Sequence, residues 1–536
     1  MSDKKKTISR KASNRNGIRR FVFVCLSFIL EILLVTGMVM WFDYRAEFFA
    51  VLLRVVVLFL VLGIYSQYKT SAMKTPWIVL IMGFPAMGVA VFLLSGLSGV
   101  SRKMRREIQK IDAYIFDKLP GNLPVLQELD ACDRSAANIS LYLKRTAGFP
   151  VYRDTAVSYY DVAEKALESM IEEIQKAKAF VFMEYHAFED TEAFHRVEDA
   201  LVERVAAGVE VRILYDDVGS LPFITMDFID RMRERGIKAR MFNPVNRLAN
   251  FFMNNRDHRK LTVIDSVVGF TGGYNIADEY FNITHPYGHW KDSGVKLTGG
   301  AVKNLTALFL EMWNAARNND SYDTEEEIAN YIFANREAAI SARHLQNPVL
   351  FMQDKCFVQP YGDTPMDNEP VGENVYISLI ERAKDYFWIS TPYLIITDEM
   401  IHAMGLAAKR GVDVRVITPG IPDKRVIYSV TRSYYHSLAR NGVRIFEYTP
   451  GFNHSKICVS DGTMATCGTI NLDYRSLYHH FEDGCLFYGG HIVKDIHRDL
   501  EYILSESNEV TQYYASGRGK ILRFGQLILR LFAPLL

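Results

Sequence analysis

His258-Arg259-Lys260-Leu261-Thr262-Val263-Ile264-Asp265, followed by Gly272-Gly273-Tyr274-Asn275, is the stretch that decides the fold, because the chain writes it twice. The second writing is His454-Ser455-Lys456-Ile457-Cys458-Val459-Ser460-Asp461, followed by Gly468-Thr469-Ile470-Asn471. The spacing is identical: Lys two residues after His, Asp five after Lys, Gly seven after Asp, Asn three after Gly. A lone His-x-Lys reads as a surface strand, and a bare match carries that risk. Two copies with matching Gly and Asn do not. After each Lys the pattern predicts a β-hairpin, with Asp461-Gly462 as a two-residue turn and Asp265-Ser266 in the matching place. In an extended strand residues i and i+2 share a face, so each His and Lys project together. The Asn, beyond the return strand, comes back to the same end. Asp265 and Asp461 sit at the turns, which predicts a structural role for them rather than direct catalysis.

Working outward, each motif sits in the same β/α pattern. The first copy has Ala179–Tyr185, a helical stretch around Phe194–Ala207 and Val209–Asp216. The second has Tyr386–Ser390, a helical stretch around Glu399–Arg410 and Val412–Thr418. Strands alternating with helices predict βαβ units and a largely parallel, buried sheet. Two copies about 200 residues apart predict an internal duplication. The polar segment 318–337 between them, with Thr324 and Glu327 spaced as a capping box, predicts a linker running into a helix. The expected fold class is α/β: two duplicated lobes, 111–340 and 341–515, forming one active site.

The 536 residues allow about three to four domain-sized units. Lys plus Arg and Asp plus Glu are both 62, so no overall basic field exists to hold nucleic acid. Six scattered cysteines without a CxxC pair argue against a zinc module or a disulfide scaffold; Cys458 and Cys467 read as small buried fillers. The segment 1–110 is a different matter. A basic leader (Lys4, Lys5, Lys6, Arg10, Lys11, Arg15, Arg19, Arg20) precedes apolar runs at Phe21–Phe42, Phe48–Tyr65 and Trp77–Leu97. Each run is long enough for a transmembrane helix. The leader and the cluster Arg102, Lys103, Arg105, Arg106 both favour the cytoplasmic side, which predicts an even number of full crossings and a cytoplasmic catalytic part. Glu31 and Arg54 are candidates to pair within the membrane. The tail 516–536, with Lys520, Arg523 and Arg530 along an apolar helix, reads either as an interfacial amphipathic helix or as one packed on the protein's own core.

Two imidazoles can divide the work of nucleophile and general acid/base. Two ammonium groups and two amides can stabilise the non-bridging oxygens of a phosphoryl centre. The candidate catalytic set is therefore His258, Lys260, Asp265, His454, Lys456 and Asp461, with Asn275 and Asn471 binding phosphate; this chemistry requires no metal or other cofactor. Tyr215-Asp216-Asp217 ends a strand at the sheet's carboxyl edge and reads either as a headgroup contact or as a helix N-cap. Asp423-Lys424-Arg425 reads as a solvated charge run.

The repeat resembles the HxKxxxxD motif of the phospholipase D superfamily, and the wider pattern is similar to its bacterial cardiolipin synthases. Tyr215-Asp216-Asp217-Val218-Gly219-Ser220, Phe242-Asn243-Pro244, Gly272 to Tyr280, Trp290-Lys291-Asp292, Ser390-Thr391-Pro392-Tyr393 and Asn471 to Ser476 carry that resemblance. It implies transfer of a phosphatidyl group between two phosphatidylglycerol molecules, through a phosphatidyl-histidine, giving cardiolipin and glycerol at a bacterial cell membrane. It also implies His258 as nucleophile and His454 as acid/base, although the near-symmetric copies leave that assignment open. The family uses a carboxylate after each motif to orient the histidines; Glu482 and Asp292 stand in those places. Gly273 and Thr469 replace a serine expected there, and His480 an asparagine. A phospholipase D hydrolase, a phosphatidylserine synthase of the same superfamily and a non-catalytic membrane scaffold are the alternatives.

Overall fold

In the computed structural model the described residues are 47–67, 70–96, 99–116, 119, 121–244, 255–316, 322–333 and 356–516, with isolated positions towards either end. The first half contributes strands β1 (Thr155–Tyr160), β2 (Phe180–Tyr185), β3 (Glu210–Asp216), β4 (Lys238–Phe242), β5 (Arg256–Asp257), β6 (Lys260–Ile264), β7 (Val268–Gly272), β8 (His289–Lys291) and β9 (Gly294–Gly299). The second contributes β10 (Phe357–Asp363), β11 (Tyr386–Ser390), β12 (Leu394–Ile395), β13 (Asp413–Pro419), β14 (Arg444–Tyr448), β15 (Gly451–Asn453), β16 (Ile457–Ser460), β17 (Met464–Gly468), β18 (Leu472–Asp473), β19 (His480–Tyr488) and β20 (Ser507–Glu509).

One sheet runs β1-β9-β7-β6-β2-β3-β4 and the other β10-β19-β17-β16-β11-β13-β14-β20. Strand for strand the orders correspond, up to the added β20. The expectation of largely parallel sheets is corrected. Along these two strand orders, only β2-β3-β4 and β11-β13-β14 run parallel. The motif hairpins β6-β7 and β16-β17 enter antiparallel, against each other and against β2 and β11. The inner strands β2, β6, β7, β16 and β17 are buried along their whole length, so they read as continuous buried runs whatever their direction.

The predicted turns are present. Asp265, Ser266, Asp461 and Gly462 all take positive φ (52°, 51°, 51° and 59°), the conformation a two-residue hairpin turn demands. The sheets meet along β7 and β17. A single buried core runs from Phe180, Leu261 and Leu297 of the first half to Phe387, Val459 and Phe487 of the second. The opposite face of the first sheet has its own core, including Met183, Ile213 and Phe270, closed by the helices Ala163–Ile174 and Glu192–Ala206. The predicted capping box also forms: Thr324 Oγ1 accepts from the Glu327 backbone N–H, and Glu327 accepts from Thr324 N–H.

At the N-terminal end the first expected span and Glu31 lie outside the described residues. The second forms the helix Glu47–Tyr65, whose Val51, Leu52, Val55, Val56, Leu58, Phe59 and Leu62 are exposed. The third is two helices rather than one, Ser71–Gly83 and Pro85–Gly96. Pro85 has no N–H to continue the first and its ring suits the start of the second. They fold back closely: a Cβ on Gly88 would lie 2.6 Å from Ile81 Cα. No described helix is long and apolar enough to cross a membrane. Most of the amphipathic tail is also outside the described residues. At its far end the Arg530 guanidinium sits 4.2 Å from the Tyr434 ring centroid and Ala533 is buried.

Candidate active site

The two motifs are brought together by an exchange of short strands. β5, leading into His258, pairs in parallel with the start of β19 of the other half. β15, leading into His454, pairs in parallel with β8. The exchange extends to the histidines themselves: His258 N–H donates to Phe481 O at 2.9 Å and His454 N–H to Lys291 O at 2.8 Å. One residue beyond each acceptor stands a carboxylate of the opposite half. His258 Nδ1 is 2.9 Å from both oxygens of Glu482, and His454 Nδ1 is 2.7 Å from Asp292 Oδ2. Each histidine is therefore oriented by the other copy's carboxylate.

The lysines follow the predicted alternation. Lys260 Nζ donates to His258 O at 2.7 Å and Lys456 Nζ to His454 O at 2.5 Å. All four side chains are buried. Burial, then the charges of Lys260 and Lys456, hold the His258 pKa well below the usual imidazole range. Burial, then Lys456 and Lys260, do the same for His454. The strand exchanges and the crossed carboxylates bring the two motifs to one site. Burial also lowers the lysines, to about 8 for Lys260 and about 7 for Lys456, and raises Asp292 to about 6. Both shifts favour the neutral ring, the form that a nucleophile or general base needs.

Asn275 and Asn471 lie at the same end. Asn275 accepts from Ala187 N–H at 3.2 Å and donates to Tyr280 Oη at 2.8 Å, while the buried Oδ1 of Asn471 has no partner. Asp265 and Asp461 are elsewhere, at the far ends of the hairpins. Asp265 accepts three backbone N–H groups, of Lys178, Ala179 and Phe180, at 2.8–2.9 Å. Asp461 accepts those of Lys384, Asp385 and Tyr386 at 2.9 Å. They clip each hairpin to the strand beside it. Asp461→Ala is expected to lower thermal stability by about 2 kcal/mol, three partly solvated amides losing one charged acceptor. Calorimetric unfolding checks this, and the folded fraction should keep its specific activity.

The serine replacements have a geometric account. Thr469 Oγ1 donates to Glu482 Oε2 at 2.5 Å. Its counterpart Gly273 leaves no room for a side chain: a Cβ there would lie 2.0 Å from Asp292 Oδ1. The shorter aspartate brings its carboxylate closer to the backbone than a glutamate would. Gly273→Ala is expected to push Asp292 off His454 and reduce turnover by about 10- to 100-fold, a loss scaled to misplaced catalytic geometry. Steady-state kinetics beside an unchanged melting temperature would distinguish this from misfolding.

Other residues resolve as follows. Asp216 is a buried N-cap, accepting from Val218 and Gly219 N–H, and its second oxygen accepts from Asp257 N–H at 3.1 Å, so it braces the strand entering His258. Arg259, between motif His and Lys, points away from the site and is bound to Glu311 at 2.7 Å. Asp423 accepts from Tyr393 Oη at 2.6 Å, and the charge of exposed Lys424 reaches both histidines. Cys458 and Cys467 are buried.

Sequence reasoning missed His186, at the end of β2, whose ring centroid is 5.1 Å from that of His258 and whose Nδ1 lies 2.7 Å from Asp257 O. His480 stands on the same side, 5.3 Å from His258. The His454 side is instead aromatic: Trp290, Tyr280 and Phe452 lie 5.3, 5.4 and 5.7 Å from its ring. The signal for these was spacing across halves, which a single motif does not carry.

Comparison with known proteins is consistent with this arrangement. A family model described as "Cardiolipin synthase, PLD-like domain" matches residues 170–313 and 376–504. An uncharacterized protein of Streptococcus mutans is 38% identical over 88% of this chain and 98% of its own length. A cardiolipin synthase of Halalkalibacterium halodurans is 28% identical over 92% of this chain and 95% of its own, and one of Alkalihalophilus pseudofirmus is 29% identical over 90% and 92%. Among solved structures, phosphatidylserine synthase of Haemophilus influenzae shares the fold, with a TM-score of 0.54, 15% identity and coverage of 75% of this chain and 98% of that one.

Proposed function

The chain belongs to the cardiolipin synthase family with a PLD-like domain, and from that membership we propose how its two histidines share one phosphatidyl transfer. The enzyme is a phosphatidyltransferase that makes cardiolipin and glycerol from two phosphatidylglycerol molecules. His258 Nε2 attacks the phosphorus of the first. The bond to the headgroup glycerol breaks, and His454, protonated as the anionic phosphodiester enters, gives its proton to the departing alkoxide. A phosphatidyl-histidine remains. His454, now neutral, takes the proton from a hydroxyl of the second phosphatidylglycerol as that oxygen attacks phosphorus. The P–N bond breaks, releasing cardiolipin and free His258. Lys260, Lys456, Asn275 and Asn471 hold the non-bridging oxygens, and the Asn471 Oδ1 without a partner suits a substrate hydroxyl.

The observation that carries this reading is the crossed pairing of His258 with Glu482 and His454 with Asp292. A binding module has no need of two imidazoles each held by a carboxylate of the opposite half. The strand-for-strand match of the sheets supports an internal duplication, with lobes at 111–340 and 341–515. The exposed apolar face of the helix Glu47–Tyr65 supports attachment of the segment 1–110 to a bilayer, as a cell-membrane enzyme acting on lipid requires.

Purified protein incubated with phosphatidylglycerol alone in detergent–lipid micelles is expected to yield cardiolipin and glycerol by lipid mass spectrometry. Phosphatidic acid without cardiolipin would replace the transferase reading with a hydrolase.

A further inference from the structure

Among the described residues, His258, His480 and Glu482 form the one group of three metal-capable side chains whose donor atoms lie within 4.8 Å of one another. Glu482 Oε1 is 2.9 Å from His258 Nδ1 and 3.7 Å from His480 Nδ1. Ligands on a tetrahedral zinc ion, at about 2.0–2.1 Å from the metal, are about 3.3 Å apart, so these separations need only small movements. Two imidazoles and one carboxylate are a donor set that zinc accepts with its fourth position open.

His480 provides the second observation. Its side chain is about nine-tenths buried, and neither ring nitrogen makes a hydrogen bond. Buried polar atoms are normally satisfied. The reaction as described gives this ring nothing to do. It stands over His258 with its nitrogen aimed at the carboxylate that orients that histidine.

We propose that His258, His480 and Glu482 form an inhibitory site for a zinc-class divalent transition metal. A metal bound at His258 Nδ1 leaves the neutral ring's single proton on Nε2, the atom that must attack phosphorus. The proton moves from one nitrogen to the other, none is released, and the nucleophilic lone pair is lost. Glu482 is drawn from the histidine to the metal in the same event. Two imidazole nitrogens with a single carboxylate are too few oxygen donors for Mg²⁺ or Ca²⁺ but suit nitrogen-preferring ions, and the charges of Lys260 and Lys456 weaken binding of any dication alike. The loss of activity rests on the two-histidine reading above; the binding does not.

The test uses the full chain, stripped with chelator, in phosphatidylglycerol micelles. Zn²⁺ in the micromolar range should reduce cardiolipin formation at least about tenfold, with chelator restoring it and millimolar Mg²⁺ without effect. His480→Asn, and His480→Gln as a second variant, should raise the half-inhibitory Zn²⁺ concentration at least about tenfold, one ligand of three being gone. Co²⁺ added to the native protein should give the visible absorption of a low-symmetry nitrogen–oxygen site, absent in both variants. Equal Zn²⁺ sensitivity in native and variant proteins overturns the site, as does native protein without the Co²⁺ band. A band confined to native protein with no Zn²⁺ inhibition keeps the site and overturns its inhibitory role.

Discussion

Alanine at either His258 or His454 is expected to reduce cardiolipin formation at least about 10⁴-fold, because groups that act as one unit fail together. The fold should survive. Each ring lies at the end of a strand exchange whose hydrogen bonds are made by backbone, His258 N–H to Phe481 O and His454 N–H to Lys291 O, and alanine keeps both. Melting temperature therefore separates chemistry from misfolding. The two losses differ in kind. With ³²P-phosphatidylglycerol and an alkaline quench, His454→Ala should accumulate label slowly on His258, since the nucleophile remains and only proton transfer is missing. His258→Ala should carry no label. Label on His454 in the His258→Ala protein would exchange the assigned roles, and near-native turnover in either variant would sink the two-histidine mechanism.

The sequence made the hairpins legible because local chemistry sets them. Asp461-Gly462 and Asp265-Ser266 must take positive φ, and the alternation of an extended strand puts each His and Lys on one side. The direction of the sheets was not legible: β6 and β16 are buried on both faces, and a run of buried residues reads the same parallel or antiparallel. The break at Phe84-Pro85 was not legible from hydropathy, because the apolar run continues through it while the proline ends one helix and starts the next. Asp292 and Glu482 could be named from resemblance, but not their partners. His258 and Glu482 are 224 residues apart, and the pairing is decided by the β5–β19 exchange, a tertiary event of two paired residues with no periodicity. The same exchange places His480 over His258.

That crossing carries the second large effect. Glu482→Gln and Asp292→Asn are each expected to reduce turnover by about 10²–10⁴-fold, as when a histidine loses the carboxylate that fixes its tautomer. Glu482 accepts from Thr469 Oγ1 and Ser476 Oγ as well as meeting His258 Nδ1, so it is held rigidly, and the amide in its place can present N–H to the ring and turn the proton onto Nε2. Asp292 is fixed by the Ser293 N–H at 2.9 Å and by the wall that Gly273 leaves open. The variants should respond differently to the leaving group. A phosphatidyl ester of 4-nitrophenol departs without needing a proton. Its first-step burst should be largely restored in Asp292→Asn, whose defect lies in the proton donor His454. It should remain slow in Glu482→Gln, whose defect lies in the nucleophile His258. Were each carboxylate to serve the histidine of its own half, Glu482→Gln would be the variant rescued and Asp292→Asn the one left slow. The label position in the alanine variants fixes the histidine roles independently, so the leaving-group pattern reads the pairing alone.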